Sequence, residues 1–437
     1  MLPTDPEQPW PEEEGAPAEV VNIRDGRILL DGVPDASVSS IRTLLRDHRR
    51  VLLGSDEPIR FNTMRESLEH GARVFEGRDA LVETIRVAAE DRVCVLVHKP
   101  NKPPIRAKLK LPIMDTQRQV LKLAMENAYS PVVEYLEALP TCEPGAIRMV
   151  ATEALGLTRE IQLQVFRMWL ISCVARALKP GCQVDTVLVL VCPEGGEAKS
   201  SFFRALVRDD YWFSDTYLDI VGFGRKDAYQ QLHGTWIYEI QELEGVHTKE
   251  ERAKYKSFLP SRFDKFRAAY AAETKNHARC NAFGASSNSE DFMTGTDTAF
   301  DRRFWPFRIT CEIDLAMVHT LRDQLWSEAR DAFLAGEPWH FSKRDQRQDQ
   351  IREMQSEFIN DSDPWEEPLS GWILTATDPK TVPDALTFLG VPTSDQNKQA
   401  QMRVAEILKK LGLKKLPKRR HGGKIVTPWL QVGTYEV

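Results

Sequence analysis

The feature that most constrains this chain is an uninterrupted apolar run, Val187-Leu188-Val189-Leu190-Val191, with turn formers on both sides. Lys179-Pro180-Gly181 precede it, and Pro193, Gly195 and Gly196 follow. A short β-branched run without polar alternation reads as a strand buried on both faces. Such strands belong to parallel sheets covered by helices. Upstream, Ile161, Val165, Met168, Trp169 and Val174 recur at helical spacing within 158–178, and Pro180-Gly181 close that helix. Downstream, Trp236–Ile240 and Cys280–Ala285 are further strand candidates with helical segments between them. Strands alternating with helices predict an α/β core with a parallel sheet over residues 151–360.

A chain of 437 residues exceeds one ordinary core, so two or three domains are expected. Residues 1–20 carry Asp5, Glu7, Glu12, Glu13, Glu14 and Glu19, several prolines and no basic residue, which predicts a disordered acidic tail. Residues 21–150 read as a mostly helical region. Ile41–Arg50, Asp79–Glu90 and Asp115–Ala138 are its helices, and Val93–Val97 is a short strand. Residues 361–368 read as a polar linker. No run of about 18 apolar residues occurs, so no membrane span is expected. The acidic start lacks the basic residues and apolar core of a leader peptide. The seven cysteines are widely spaced with no C-x-x-C. This predicts reduced thiols in the cytoplasm, with neither a zinc site nor a disulfide framework.

The segment Cys192-Pro193-Glu194-Gly195-Gly196-Glu197-Ala198-Lys199-Ser200-Ser201 leads from the buried strand into a helix, Phe202–Val207. Strand, glycine-containing loop, Lys-Ser and helix is the context of a phosphate-binding P-loop. Backbone N–H groups of Gly195, Gly196, Ala198 and the helix start, with Ser201, would face phosphate oxygens. Lys199 would reach the β- and γ-phosphates of ATP, and Ser200 would ligate Mg²⁺. Pro193 and Ala198 stand where the usual pattern has glycines.

Nucleotide hydrolysis also needs carboxylates at the end of a neighbouring strand. Glu239 and Glu242 in Trp236-Ile237-Tyr238-Glu239-Ile240-Gln241-Glu242 supply them. Glu239 is assigned to Mg²⁺ and Glu242 to the attacking water, with the roles interchangeable. The next strand ends in Ser286-Ser287-Asn288, whose amide suits a γ-phosphate or water. Arg302 and Arg303, beside Phe304 and Trp305, offer an arginine finger, with surface salt-bridging or phosphate contact as the other reading.

Taken in order, these segments resemble the virulence-associated protein E family, whose core is similar to superfamily 3 helicases within the AAA+ ATPases. The resemblance rests on "ALKPGCQVDTVLVLVCPEGGEAKSSFFRAL", "WFSDT", "KDAYQQLHGTWIYEIQELEG", "KSFLPSRFDKFRAAY", "SSN" and "DRRFWPF". It implies Walker A at Lys199 and Ser200, Walker B at Glu239 and Glu242, sensor 1 at Asn288, and the finger at Arg302 or Arg303. It also implies that Arg267 and Arg279 lie in a segment that faces DNA in related helicases. Thr298-Ala299-Phe300-Asp301 replaces the T-G-N that commonly precedes the arginine pair. No acidic polymerase motif precedes residue 150, so no primase activity is expected.

The C-terminal segment, 369–437, has its own plan. Pro383–Leu389 reads as a short helix. Thr393 with Gln396 offers a capping box for a second helix running to Leu411. Lys414–Arg420 and Lys424–Leu430 flank His421-Gly422-Gly423 as a hairpin. Helix, helix and basic hairpin predict a winged-helix-like module. Between residues 394 and 424, Lys398, Arg403, Lys409, Lys410, Lys414, Lys415, Lys418, Arg419, Arg420 and Lys424 face only Asp395 and Glu406, although the whole chain carries −6. That concentration predicts contacts with DNA phosphates, foremost through Lys414, Lys415, Lys418, Arg419, Arg420 and Lys424.

The expected activity is therefore an ATP-driven DNA helicase or translocase of a mobile element, working as a ring, most simply a homohexamer. A DNA-binding initiator or interference factor with a weak ATPase core is the alternative. A small-molecule phosphotransferase would need no basic tail.

Overall fold

The computed structural model describes residues 19–24, 27–31, 38–75, 77–193, 198–218, 220, 225–241, 243, 248–266, 274–290, 292–293, 297–341, 345–359, 363–375, 380–421 and 424–431. The architecture is mixed α/β with a parallel sheet and many helices. The chain divides into two compact units, one of residues 1–289 and 302–352, the other of 290–301 and 353–437. The core expected over 151–360 is thus divided differently. Residues 290–301 belong to the smaller unit, where Met293 bridges Ile359 and Gln355 donates to the Asp301 carbonyl.

The centre of the larger unit is a five-stranded sheet. Its elements run α1 (Glu160–Leu178), β1 (Val187–Val191), α2 (Ala198–Ala205), β2 (Phe213–Ser214), β3 (Ile237–Ile240), α3 (Lys249–Phe258), β4 (Ala282–Ser287), β5 (Phe304–Arg308) and α4 (Leu315–Leu334). The spatial order is β2-β3-β4-β1-β5, and every neighbouring pair is parallel. The first strand therefore lies between the two last ones. The crevice at the carboxyl ends beside such a strand is where open parallel sheets bind ligands.

The apolar run forms β1 as expected, and all five of its residues are fully buried. Burying one such side chain contributes about 1.5–3 kcal/mol. Tryptophans hold the helices to the sheet, because a buried indole N–H needs an acceptor. Trp169 on α1 donates to the Phe283 carbonyl at 2.8 Å, and Trp236 donates to the Cys173 carbonyl at 2.9 Å. Trp326 on α4 donates to the Leu206 carbonyl just past α2 at 2.6 Å. Among the described residues α1 is the one helix long and apolar enough to cross a membrane, and it is mostly buried inside this core. Gly284 on β4 lets α2 settle on the sheet, because a Cβ there would collide with the Phe203 ring.

The expected mostly helical region 21–150 is instead built on two four-stranded sheets. One joins Glu19–Arg24, Arg27–Asp31, Val93–Lys99 and Lys102–Lys108. The other joins Arg73–Phe75, Ser67–His70, Ile59–Asn62 and Ala128–Tyr129. Helices Val38–Asp47, Arg78–Arg92 and Ile113–Glu126 pack with them around Ile41, Leu45, Ile85, Val93 and Val120. Several strands are short and polar, so alternation is too brief to read, and two of the pairings, Arg27–Asp31 with Val93–Lys99 and Ile59–Asn62 with Ala128–Tyr129, join segments far apart along the chain. The expected tail falls almost wholly outside the described residues.

In the smaller unit, helices Glu366–Thr375, Val382–Phe388 and Lys398–Lys410 bury Leu369, Leu386, Val404, Leu408 and Trp429. The expected Thr393–Gln396 capping box does not form, because Thr393–Asp395 is a 3-10 turn. Asn397 caps the helix instead, its side chain accepting from the Ala400 N–H at 3.0 Å. Leu413–Lys415 pairs with Trp429–Gln431, and Arg419–His421 pairs with Lys424–Val426.

Candidate functional site

The carboxyl ends of β1, β3 and β4 bring the central residues together. β1 ends at Val191, and the chain re-enters described structure at Ala198, where Ala198, Lys199, Ser200 and Ser201 make the first turn of α2. Gly195 and Gly196 lie outside the described residues, as does Glu242. Lys199 is only 6% exposed. Its Nζ donates to the Asn288 Oδ1 at 2.6 Å, the Ser287 carbonyl at 3.2 Å and the Cys192 carbonyl at 3.3 Å. These partners are all neutral oxygens. The Glu239 carboxylate acts on this ammonium by charge, without a hydrogen bond to it among the described residues, and a buried ammonium bonded to neutral oxygens is an attractive place for an anion.

Glu239 lies on β3 opposite Gly284 and is 1% exposed. Its Oε1 accepts from the Ser200 hydroxyl at 2.8 Å. Its Oε2 is buried with no hydrogen-bond partner among the described residues. A hydroxyl and a carboxylate, with one carboxylate oxygen buried and unsatisfied, fit a hard divalent cation such as Mg²⁺. Burial raises the Glu239 carboxyl above its ordinary range; the hydroxyls of Ser286 and Ser200 oppose this, and the charge of Asp215 adds to it.

Asp215 was not among the sequence candidates. It stands one residue beyond β2, whose Ser214 pairs with Tyr238, so the register sets it beside Glu239. Its position directly after a short buried strand, within "WFSDT", was the available signal.

The arginine pair is not brought to this point of the same chain. Arg303 lies at the amino edge of the sheet, where the Val187 N–H donates to its carbonyl at 2.8 Å. A five-residue strand, roughly 17 Å long, separates that edge from Lys199. Arg303 is buried and reaches the Lys256 carbonyl at 3.4 Å, whereas Arg302 is exposed.

The expectation for Arg279 is corrected. It is 2% exposed and forks onto Asp264, with Nε 3.0 Å from Oδ2. It also donates to the Phe258 carbonyl at 2.8 Å and lies over the Phe258 ring. An arginine buried in this way must keep its carboxylate, so it is not offered to a phosphate. It follows an antiparallel hairpin of Phe263–Phe266 and Lys275–Ala278. Arg267 lies outside the described residues.

In the smaller unit Lys414, Lys415, Lys418 and Arg420 are exposed. The side chains of Arg419 and Lys424 lie outside the described ones. Two other bases of this segment are engaged within the unit: Arg403 forks onto Asp363 at 2.7 and 2.8 Å, and Lys410 meets Glu366 at 2.9 Å. The strands after the helix therefore carry its solvent-facing positive charge more than the helix does.

The model of one known family, the virulence-associated protein E-like domain, matches residues 139–360, just over half of the chain. No curated protein matches. Solved structures of the C-terminal region of NrS-1 are similar at low identity. An apo structure has a TM-score of 0.47 at 11% identity, covering 89% of this chain and 98% of that one. An A-form apo structure has a TM-score of 0.44 at 11% identity, covering 89% and 99%. Another has 0.44 at 12% identity, covering 90% and 100%.

Proposed function

This chain belongs to the virulence-associated protein E-like family, and from that footing we propose that it is an ATP-dependent DNA helicase or translocase of a phage or mobile genetic element, acting in DNA replication. The observation that carries the reading is the convergence of Lys199, Ser200, Glu239 and Asn288 at the carboxyl edge of a parallel sheet. Lys199 and the first-turn N–H groups of α2 would receive the β- and γ-phosphates of ATP. Ser200 and Glu239 would hold Mg²⁺, which neutralises charge on the phosphates. Asn288, already bonded to Lys199, would orient the γ-phosphate or the attacking water. Asp215, beside Glu239, or Glu242, the residue that the sequence assigns to this role, would position that water.

The strand order supports a P-loop core of the AAA+ kind, and the smaller unit's helix–helix–hairpin plan supports a winged-helix-like DNA-binding module. The separation of Arg302 from Lys199 favours a finger acting on a neighbouring subunit, hence a ring, most simply a homohexamer. ATP turnover with and without single-stranded and duplex DNA, at two salt concentrations, tests the proposal. DNA-stimulated turnover that Lys199→Ala abolishes is expected. Equal turnover in wild type and variant would overturn it.

A second reading has its own observation, the replacement of loop glycines by Pro193 and Ala198. It makes the chain a DNA-binding initiator or interference factor with a weak ATPase core. Salt-sensitive DNA binding without turnover in the wild type would select it.

A further inference from the structure

Three side chains outside the nucleotide site meet at one point of the larger unit. Glu66 sits in the turn between strands Ile59–Asn62 and Ser67–His70, at a φ of 49° that non-glycine residues seldom adopt. His233 follows helix Arg225–Leu232, and His277 lies on the second strand of the hairpin. The Glu66 Oε1 is 3.2 Å from His277 Nδ1 and 3.6 Å from His233 Nε2. One ligand atom from each residue lies within 4.8 Å of the other two. Tetrahedral zinc, with bonds of about 2.0–2.1 Å, holds its ligand atoms roughly 3.3 Å apart. Two edges of the triangle already have nearly that length.

An ion pair alone does not account for the cluster. His233 Nε2, one of the three ligand atoms, is buried and makes no hydrogen bond among the described residues, with the Glu66 carboxylate 3.6 Å away. The rings are nevertheless held in place. Phe266 stacks on His277 at 4.1 Å and meets His233 edge-on at 5.5 Å. The backbone is also drawn in here: a Cβ on Gly234, at φ +86°, would lie 3.4 Å from the Met64 carbonyl. His233 also lines an open cleft of about 620 Å³, together with Met64, Arg65, Tyr211 and Gln230.

We propose that Glu66, His233 and His277 bind a divalent transition-metal ion, zinc by preference, which clamps the base of the hairpin to the N-terminal sheet. Two imidazoles and one carboxylate form a donor set that suits zinc and disfavours Mg²⁺, which takes oxygen ligands in octahedral geometry. The widely spaced cysteines gave no sign of such a site, since none of them takes part in it. The inference stands apart from the nucleotide reading, because it shares no residue with it.

The test uses the full chain, stripped with EDTA and titrated with Zn²⁺ or Mg²⁺ by calorimetry, with melting followed in parallel. One equivalent of Zn²⁺ is expected to bind and raise the melting temperature, while Mg²⁺ does neither. His233→Ala and His277→Ala are each expected to weaken Zn²⁺ binding at least tenfold. A wild type that binds no Zn²⁺, or variants that bind as tightly as wild type, would overturn the proposal. If the variants fail to fold, the visible spectrum of the Co²⁺-loaded wild type decides. Ligand-field bands without a cysteinate charge-transfer band support the site, and a cysteinate band overturns it.

Discussion

At the scale of the residue, Glu239 shows how a site is held ready at a cost to stability. Its carboxyl is almost wholly buried, and burial raises its proton affinity from the ordinary 4.5. The folded protein therefore keeps this proton to higher pH than the unfolded chain does. The stability it contributes is fully present below pH 4.5 and is lost as pH rises through the folded value. At neutral pH and without Mg²⁺-nucleotide, Glu239→Gln should thus melt higher than wild type, by about 1–3 °C. The difference should close as pH falls towards 4.5. Calorimetric melts of both proteins across that range check this, and a variant less stable at neutral pH would contradict it. The same variant should lose ATP turnover by at least about a hundredfold, the size of loss seen when one charge-stabilising group is removed from an active site. Lys199→Ala should show a comparable loss, together with loss of nucleotide binding.

At the scale of the element, the seat of α2 on the sheet positions Lys199 and Ser200. Gly284 permits it, since a methyl there collides with the fully buried Phe203. Gly284→Ala should destabilise the larger unit by about 1–3 kcal/mol through overpacking. Pairing it with Phe203→Leu should recover part of that loss; denaturant unfolding of the two variants measures both effects. In the smaller unit, Asn397→Ala should lower stability by about 1 kcal/mol by removing the cap of helix Lys398–Lys410. Thr393→Ala should have little effect, which separates the observed cap from the one that the sequence suggests. The helix itself was legible from its apolar stripe, but its first residue was not. Thr393 and Asn397 are both good caps in isolation, and the 3-10 turn at Thr393–Asp395 decides between them.

At the scale of the whole molecule, charge is divided between the two units. The chain carries −6 overall, yet Lys414, Lys415, Lys418 and Arg420 are exposed together on the smaller unit. Changing all four to alanine should weaken DNA binding and flatten its dependence on log salt by about 3–4, near 0.9 for each phosphate no longer neutralised. Fluorescence anisotropy over a salt series checks this. An unchanged slope would mean that DNA binds elsewhere. Arg302→Ala should reduce turnover while leaving oligomer size unchanged, measured by light scattering; a normal rate would remove the finger from the proposal.

The sequence by itself determined the strand–loop–helix around Lys199, because apolar runs, turn formers and helical periodicity act between near neighbours. It also marked Glu239 and Asn288, each at the end of a recognisable strand. Only the tertiary structure decided which strand ends would meet. The parallel register sets Asp215 beside Glu239 and leaves Arg303 at the far edge from Lys199. It likewise buried Arg279 against Asp264 and drew Glu66, His233 and His277 together from distant parts of the chain. Those contacts follow from packing and pairing between segments far apart in sequence, and no local pattern encodes them.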